Sequence, residues 1–124
     1  ISVYDNYRLT TEDTGNQSRI MIGSFLSGEY DIYYSGTEQH PFYSYIMGKH
    51  EWLPNGNLLI TESTKGRAFE IDQEGNIVWE YINLVGDGKA GLVSEVHRLS
   101  DSFTEDFFKQ LTDRCKVELS DSFK

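Results

Sequence analysis

The sequence predicts an all-β chain of about two four-stranded antiparallel sheets, followed by a short C-terminal helix. Turn signals recur about every ten residues, at 54–56, 64–66 and 73–75, and β-branched, aromatic and leucine residues fill the gaps. This spacing is typical of antiparallel hairpins. The same kind of segment returns at a constant interval along the chain, and a helical period replaces the strand period only near the C-terminus.

The stretch 48–83 is the centre of this prediction and reads as one meander of three short strands. Gly56 and Gly75 supply the positive φ that tight turns require, at no steric cost. In the last strand, residues 77–82, apolar side chains alternate onto both faces. We therefore expect this strand to be covered on both sides, as in stacked sheets.

An internal repeat accompanies the meander. Corresponding positions are separated by 48, 47 and 46 residues, and they are Arg19 and Arg67, Gly28 and Gly75, and the segments 50–53 and 96–99. Intervals of about 40–50 residues are those of four-stranded β-propeller blades. The sheets are therefore predicted to be blades of the propeller type.

The domain organisation follows from this interval. Residues 1–100 are predicted to form a partial β-propeller, and residues 101–124 a C-terminal helix and tail. The parts of the propeller are a possible strand at Val3–Leu9, a first, incomplete blade at about 19–36, a second blade at about 41–83, a flexible connection at 85–91 and the opening strand of a third blade at 92–99.

The C-terminal segment changes period. Ser102 and Glu105 form a capping box, in which the two side chains satisfy free amides at a helix start. Phe103, Phe107 and Leu111 then recur every four residues. This pattern predicts a helix of about ten residues that packs one apolar stripe on the sheet.

The meander also resembles a known family. Residues 53–62, 66–70 and 75–81 read LPNGNLLITE, GRAFE and GNIVWEY, and they resemble a blade of the arylsulfotransferase family, the PAPS-independent β-propellers. The resemblance covers residues 41–100 well, and the helical end makes the chain similar to the carboxyl-terminal part of such a protein. It implies sulfuryl transfer from aryl sulfate esters to phenols through a transient histidine adduct, without metal or nucleotide, in an extracellular, secreted or periplasmic protein.

Three candidate site residues come with the resemblance. Such chemistry needs a neutral imidazole nucleophile and cationic groups for the sulfuryl oxygens. The family often carries histidine where this chain has Gly48, and His50 lies two residues on, on the same strand face. Arg67 takes the place of a catalytic-blade arginine, although its counterpart Arg19 favours a structural salt bridge. Glu62 is a candidate orienting carboxylate. The alternative, structural interpretations are a polar or hydrogen-bonded side chain for His50 and an exposed strand-end carboxylate for Glu62.

For the other candidate residues, the sequence favours a structural role over a functional one. Four aromatic residues of the meander fit either a phenol-binding pocket or a sheet core, and alternation along the strands favours the core; they are Trp52, Phe69, Trp79 and Tyr81. The loop at 72–76 favours a turn over a calcium site. His97 falls one place away from the repeat position of His50.

Composition excludes several classes of protein. Lys plus Arg number 11 against 20 Asp plus Glu, and the net charge of −9 repels phosphate backbones. No nucleic acid partner is expected. A membrane span needs about 20 consecutive apolar residues, and no apolar run in the sequence approaches that length. Cys115 is the single cysteine of the sequence, which excludes an internal disulfide, and we interpret it as a thiol without a chemical role. The triplet Asn16–Ser18 has the pattern of a glycosylation acceptor, which we interpret as a chance occurrence.

Two functions remain open. A closed propeller needs at least four blades, or about 160–200 residues, so further blades from the same or other chains are expected as partners. Ile1 suggests a processed product or a piece of a longer protein. The first hypothesis is an aryl sulfotransferase with a phenolic sulfate substrate. The alternative is a non-catalytic propeller module that serves as a structural or interaction scaffold in an extracellular assembly.

Overall fold

The computed structural model of the chain describes residues 1–6 and 16–121, and the side chains among them up to residue 114. These parts form three antiparallel sheets and a C-terminal helix, which confirms the predicted all-β class. The strands are β1 Ser2–Asp5, β2 Arg19–Gly23, β3 Tyr30–Ser35, β4 Lys49–Trp52, β5 Leu58–Glu62, β6 Arg67–Ile71, β7 Ile77–Ile82, β8 Leu84–Gly86 and β9 Lys89–Ala90. The helix α1 spans Glu105–Asp121.

The second sheet is the predicted blade and has the order β4-β5-β6-β7. It contains four strands where the sequence indicated three in this stretch, because residues 49–52 already pair with β5 ahead of the first turn. Gly56, Gly66 and Gly75 lie at the three turns with φ values of 85°, 62° and 85°. Each turn therefore needs the left-handed conformation that glycine adopts without steric cost.

The first sheet has three strands in the order β1-β2-β3. The strand expected at Val3–Leu9 is present as Ser2–Asp5, and its predicted end lies outside the described residues. Strands β2 and β3 lie within the stretch of about 19–36 where the first, incomplete blade was expected.

The two sheets pack face to face around one core. Six side chains, each at most 1% exposed, fill the interface; they are Ile20, Phe42, Leu58, Ile60, Phe69 and Ile71. Phe42 and Phe69 meet edge to face at 5.6 Å. Burying each large apolar side chain stabilises the fold by about 1.5–3 kcal/mol, so this interface holds the two sheets together. We call the side of the second sheet that faces it the inner face.

The opposite side of the second sheet, the outer face, differs from the prediction. Residues 92–99 are not a strand, and residues 84–90 form the β8-β9 hairpin rather than a flexible connection. The backbone N–H of Val96 donates to Thr61 Oγ1 at 3.1 Å, and that of Val93 to the Ser63 carbonyl at 3.2 Å. The segment thus crosses the sheet on isolated contacts, because no described strand lies beside it to form a ladder.

The edge strand β7 is exposed, which contradicts the expectation that both its sides are covered. Val78, Trp79, Tyr81 and Ile82 are 44–53% exposed. Strand β7 pairs with β6 alone, and the described residues cover these four side chains only in part. Its apolar composition therefore exceeds what this chain buries.

Helix α1 is longer than predicted and begins later. Its 17 residues are capped by Thr104, whose Oγ1 accepts from the Phe107 N–H at 3.2 Å, whereas the predicted cap Ser102 contacts Ser100. The stripe of Phe103, Phe107, Phe108 and Leu111 is 38–45% exposed and does not pack on the sheet. The three phenyl rings contact one another instead. No helix in the described part of the chain has the length and apolarity needed to cross a bilayer.

Candidate functional site

His50 lies on β4 and projects from the inner face toward the first sheet. Its Nε2 is 2.8 Å from Ser2 Oγ, and Trp52, two residues further on the same face, donates its indole N–H to the same oxygen at 3.1 Å. The Tyr4 ring lies beside the imidazole, with 6.5 Å between ring centroids. Ser2 and Tyr4 share a face of β1 because they are two residues apart. Two neighbouring strands thus enclose the histidine.

The imidazole of His50 is held in its neutral form. Burial lowers the pKa of His50 because the charged ring loses hydration in the interface. No carboxylate among the described residues forms an ion pair with it. A neutral ring keeps a lone pair on one nitrogen, which is what a nucleophile or a general base requires. The same geometry also fits the alternative interpretation of His50 as a hydrogen-bonded histidine without a catalytic role.

Gly48 leaves no room for a side chain. Its φ is 98°, and a Cβ at this position would lie 2.3 Å from Cζ of Tyr4. The tyrosine ring therefore occupies the space into which a residue at 48 would project. Burial also raises the pKa of the Tyr4 hydroxyl far above its ordinary value, so that this phenol stays protonated.

Arg67 opens β6 and is surrounded by acceptors. Its Nε donates to Glu80 at 2.6 Å, and its Nη1 donates to Glu62 at 3.1 Å and to the Pro41 carbonyl at 3.3 Å. The guanidinium lies 4.3 Å above the Phe69 ring, and the side chain is 14% exposed. The two carboxylates raise the pKa of Arg67, against the opposing effect of burial. Its charge is matched within the fold.

Glu62 is buried, so the alternative interpretation of this residue as an exposed strand-end carboxylate is wrong. It is 2% exposed, and its Oε1 accepts the Tyr43 N–H at 2.8 Å. Burial raises the pKa of the Glu62 carboxyl, although Arg67 and the Tyr43 amide act in the opposite direction. Glu62 therefore ties the loop before β4 to the second sheet.

The structure brings together two of the three candidates. Glu62 and Arg67 are paired across β5 and β6. His50 shares their sheet face, but in the described structure its hydrogen bond goes to Ser2 and to neither of them. The catalytic assignment of all three residues stays a prediction.

The corresponding arginine of the first sheet has the same kind of partner. Arg19 opens β2 as Arg67 opens β6, and it pairs across the strands with Asp5 at the end of β1, as Arg67 pairs with Glu62 at the end of β5. Arg19 Nε donates to Asp5 Oδ2 at 3.0 Å. An arginine that closes a strand pair in both sheets fits a structural salt bridge.

An open cleft of about 710 Å³ lies beside the Ser2 and His50 pair. Its wall includes Ser2, Ile22, Glu29, Asp31 and Trp52. Ser2 and Trp52 are therefore reachable from solvent. In the described part of the chain, no group of three His, Cys, Asp or Glu side chains is arranged to hold a metal ion.

The other weighed residues divide between core and surface. Phe69 is core, as expected, but Trp52, Trp79 and Tyr81 are 44–46% exposed. They lie on β4 and β7, the edge strands of the second sheet, where this chain supplies only partial cover. The turn at 72–76 is confirmed, because Asp72 Oδ1 accepts the amide N–H groups two and four residues ahead. The side chain of Cys115 lies outside the described residues.

Sequence reasoning missed two partners of the candidate residues. Ser2 precedes the strand predicted to start at Val3, although its place two residues before Tyr4 puts both on one strand face. Glu80 lies on the face of β7 that points toward Arg67, and its alternation with Val78 and Ile82 was the available signal. The pairing itself depends on contacts far apart in the chain, which no local pattern reports.

Comparison with known families decides the relationship. A family model described as Arylsulfotransferase (ASST) matches residues 1–84. The chain belongs to the arylsulfotransferase family. The match includes both packed sheets and all three candidate residues of this arylsulfotransferase-family chain, and it extends further toward the N-terminus than the region 41–100 that the blade motifs indicated. No curated protein and no solved structure gave a match.

Proposed function

We propose that this arylsulfotransferase-family chain is part of a propeller that transfers a sulfuryl group from aryl sulfate esters to phenols, with His50 as the transient carrier. The observation that carries the proposal is the environment of His50. Its imidazole is half-buried, its pKa is lowered by burial, and a hydroxyl group is in contact with one ring nitrogen. These are the conditions under which an imidazole acts as a nucleophile near neutral pH.

The proposed transfer has two steps. In the first, the lone pair of a ring nitrogen of His50 forms a bond to sulfur, the bond between sulfur and the aryl oxygen breaks, and the aryloxide leaves and takes a proton from water. In the second, the oxygen of the acceptor phenol attacks sulfur, the bond between nitrogen and sulfur breaks, and the phenol proton passes to water. The imidazole ends as it began, and neither step calls for a metal or nucleotide.

Arg67 and Glu62 have a different part in this proposal. The guanidinium already donates to Glu62, Glu80 and the Pro41 carbonyl, and two carboxylates match its charge. We assign to the Arg67 and Glu62 pair the role of holding the ends of β5 and β6 and, through Tyr43, the loop that leads to β4, the strand of His50. Groups that hold the sulfuryl oxygens then come from other blades, as do the side chains that cover β7 in the complete ring. The proposed location of the complete protein is extracellular, secreted or periplasmic.

A specific observation favours a second candidate function. The charge of Arg67 is matched by two carboxylates, and Tyr4 fills the space in front of Gly48. Both features use up positions at which the chemistry would need free groups. They support a non-catalytic module that serves as a scaffold or interaction surface in an extracellular assembly.

The test compares two histidines in the intact source protein. An aryl sulfate donor that releases 4-nitrophenol is supplied with phenol as acceptor, and the release is followed by absorbance. We expect His50→Ala to reduce transfer to background and His97→Ala, a histidine on the outer face, to retain it. Undiminished transfer in His50→Ala would refute the role of His50 as the carrier. Absence of transfer in the unmodified protein would refute the proposed activity and favour the scaffold function.

A further inference from the structure

Ser2 stands in a relation to His50 that the proposed reaction does not by itself explain. The Ser2 hydroxyl contacts two nitrogens, Trp52 Nε1 at 3.1 Å and His50 Nε2 at 2.8 Å. These contacts join β1 of the first sheet to β4 of the second. Ser2 and Trp52 also line the open cleft, so the cluster lies where a small molecule has access.

The hydrogen-bond inventory of the cluster restricts its protons. An indole N–H only donates, so Trp52 takes one lone pair of the Ser2 oxygen. The Ser2 oxygen keeps a second lone pair and its proton, so it either donates to His50 Nε2 or accepts from an Nε2–H and turns its proton toward the cleft. The first arrangement is the one that gives the hydroxyl proton an acceptor among the described residues. Donation from Ser2 leaves Nε2 without a proton. The proton of the neutral imidazole is then on Nδ1, because the bond made by one ring nitrogen sets the tautomer of the other.

We propose that Ser2 is a positioning residue that fixes His50 in the Nδ1–H tautomer and thereby makes Nε2 the reactive nitrogen. Trp52 contributes by occupying one of the two lone pairs of the Ser2 oxygen, and in the proposed arrangement the hydroxyl proton lies between Oγ and Nε2. When an electrophilic group reaches Nε2 from the cleft, the Ser2 hydroxyl transfers its hydrogen bond from the nitrogen to an oxygen of that group. The kinetic consequence rests on the proposed sulfuryl transfer, whereas the tautomer does not.

The tautomer is measured directly in the 124-residue chain. With ¹⁵N-labelled histidine, long-range ¹H–¹⁵N correlation NMR above the pKa of His50 distinguishes the two neutral forms, and His50→Gln assigns the signals. We expect Nδ1–H in the unmodified chain. Ser2→Ala should shift the population toward Nε2–H, the commoner form of a free imidazole side chain, and Ser2→Thr should restore Nδ1–H. Ser27→Ala, a serine on the wall of the same cleft, should change nothing.

Two NMR results would overturn the inference: an Nε2–H tautomer in the unmodified chain, or an Nδ1–H tautomer that persists in a folded Ser2→Ala chain. The signals of His40 and His97 and the far-ultraviolet circular dichroism report whether the variant is folded. If it is not, the unmodified chain decides alone.

Kinetics in the intact source protein separate this inference from the proposed function. We expect Ser2→Ala to lower kcat for sulfuryl transfer by about tenfold, with KM for the donor within about twofold, because a group that acts through the imidazole contributes less than the roughly 10²–10⁴-fold of direct general acid and base catalysis. Ser2→Thr should recover most of kcat. An unchanged kcat would refute the positioning role. An Nδ1–H tautomer without any transfer would refute the proposed function and leave the assignment of Ser2 standing.

Discussion

The two faces of the second sheet are covered by different parts of the chain. The inner face, toward β1–β3, contains the apolar core, whose side chains are nearly inaccessible, and burial lowers the pKa of its histidine, His50. The outer face is crossed by residues 92–99, which are held there partly by charged contacts. Its histidine, His97, lies between Glu51 and Glu95. The central strands are covered on the outer face as well, where Leu59, Thr61, Ala68 and Glu70 are at most 6% exposed. What this face leaves exposed lies toward the edge strand β7.

The aromatic residues of β6 and β7 express the same difference. Phe69 on the inner face is fully buried and contacts the rings of Tyr34 from the first sheet and Phe42 from the loop before β4. Trp79 and Tyr81 on the outer face stack on each other at 6.4 Å but stay about half exposed. A further blade on the outer face would bury them as the first sheet buries Phe69. In the single chain their contribution to stability is correspondingly small.

The largest expected effect is therefore the loss of a core ring. Phe69→Ala should lower the free energy of unfolding of the chain by about 3–5 kcal/mol, the range for truncation of a buried phenyl ring. Trp79→Ala, the matched change on the outer face, should cost less than about 1.5 kcal/mol. Urea unfolding followed by circular dichroism measures both.

Equal losses from the two substitutions would contradict the comparison, because they would mean that Trp79 is packed in solution as closely as Phe69. The same pair sharpens it in the intact source protein. There the cost of Trp79→Ala should rise toward that of Phe69→Ala if further blades cover β7. An unchanged small cost would show that this face stays open to solvent.

The next effect concerns the candidate pair on the inner face. Glu62→Gln removes the buried carboxylate that accepts from Arg67 and from the Tyr43 amide, and we expect it to lower the free energy of unfolding by about 1.5–3 kcal/mol. Glu80→Gln removes the other partner of Arg67, which is 44% exposed, and should cost less than about 1 kcal/mol. Urea unfolding of the two variants at neutral pH makes the measurement. A larger loss from Glu80→Gln would contradict the ranking by burial.

How far the sequence determines this fold depends on the range of the interactions. The turns at Gly56 and Gly75 were predictable because a tight turn depends on a few neighbouring residues, one of which adopts the left-handed conformation. The burial of Glu62 and the partner of His50 were not. Both depend on another part of the chain: Glu62 on the loop at Tyr43, and His50 on Ser2, which lies 48 residues away.

The errors at the C-terminal end have a similar origin. The spacing of Phe103, Phe107 and Leu111 correctly predicted a helix, because a helical period is a local property. The same spacing says nothing about what the apolar stripe contacts, and the rings pack on one another. The capping box at Ser102 was a valid local pattern, but Thr104 provides an equivalent hydroxyl closer to the first turn. Among the candidate site residues, position along the strand was predictable and hydrogen-bond partners were not.

The smallest expected effect is the opposite pH dependence of the two histidines. Hydrogen bonds that the ring donates to Glu51 and Glu95 raise the pKa of His97, so that its protonated form favours the folded chain. That contribution is fully present below the ordinary histidine pKa of about 6.5 and is lost as the pH rises through the higher folded value. Burial lowers the pKa of His50, so folding favours its neutral form. That preference is fully present above about 6.5 and is lost as the pH falls through the lower folded value.

Removing each histidine separates the two contributions. His97→Ala should destabilise the chain more at pH 5.5 than at pH 8.5, because its ionic contacts to Glu51 and Glu95 require the protonated ring. In His50→Ala the stability should fall less on acidification than in the unmodified chain, because the penalty for charging a ring in the interface is gone. Urea unfolding at the two pH values, with NMR titration of both rings, measures the effects. A pKa of His50 above that of His97 would contradict the assignment of the two faces. It would mean that the hydrated, carboxylate-bound environment lies on the side of the sheet that the core occupies.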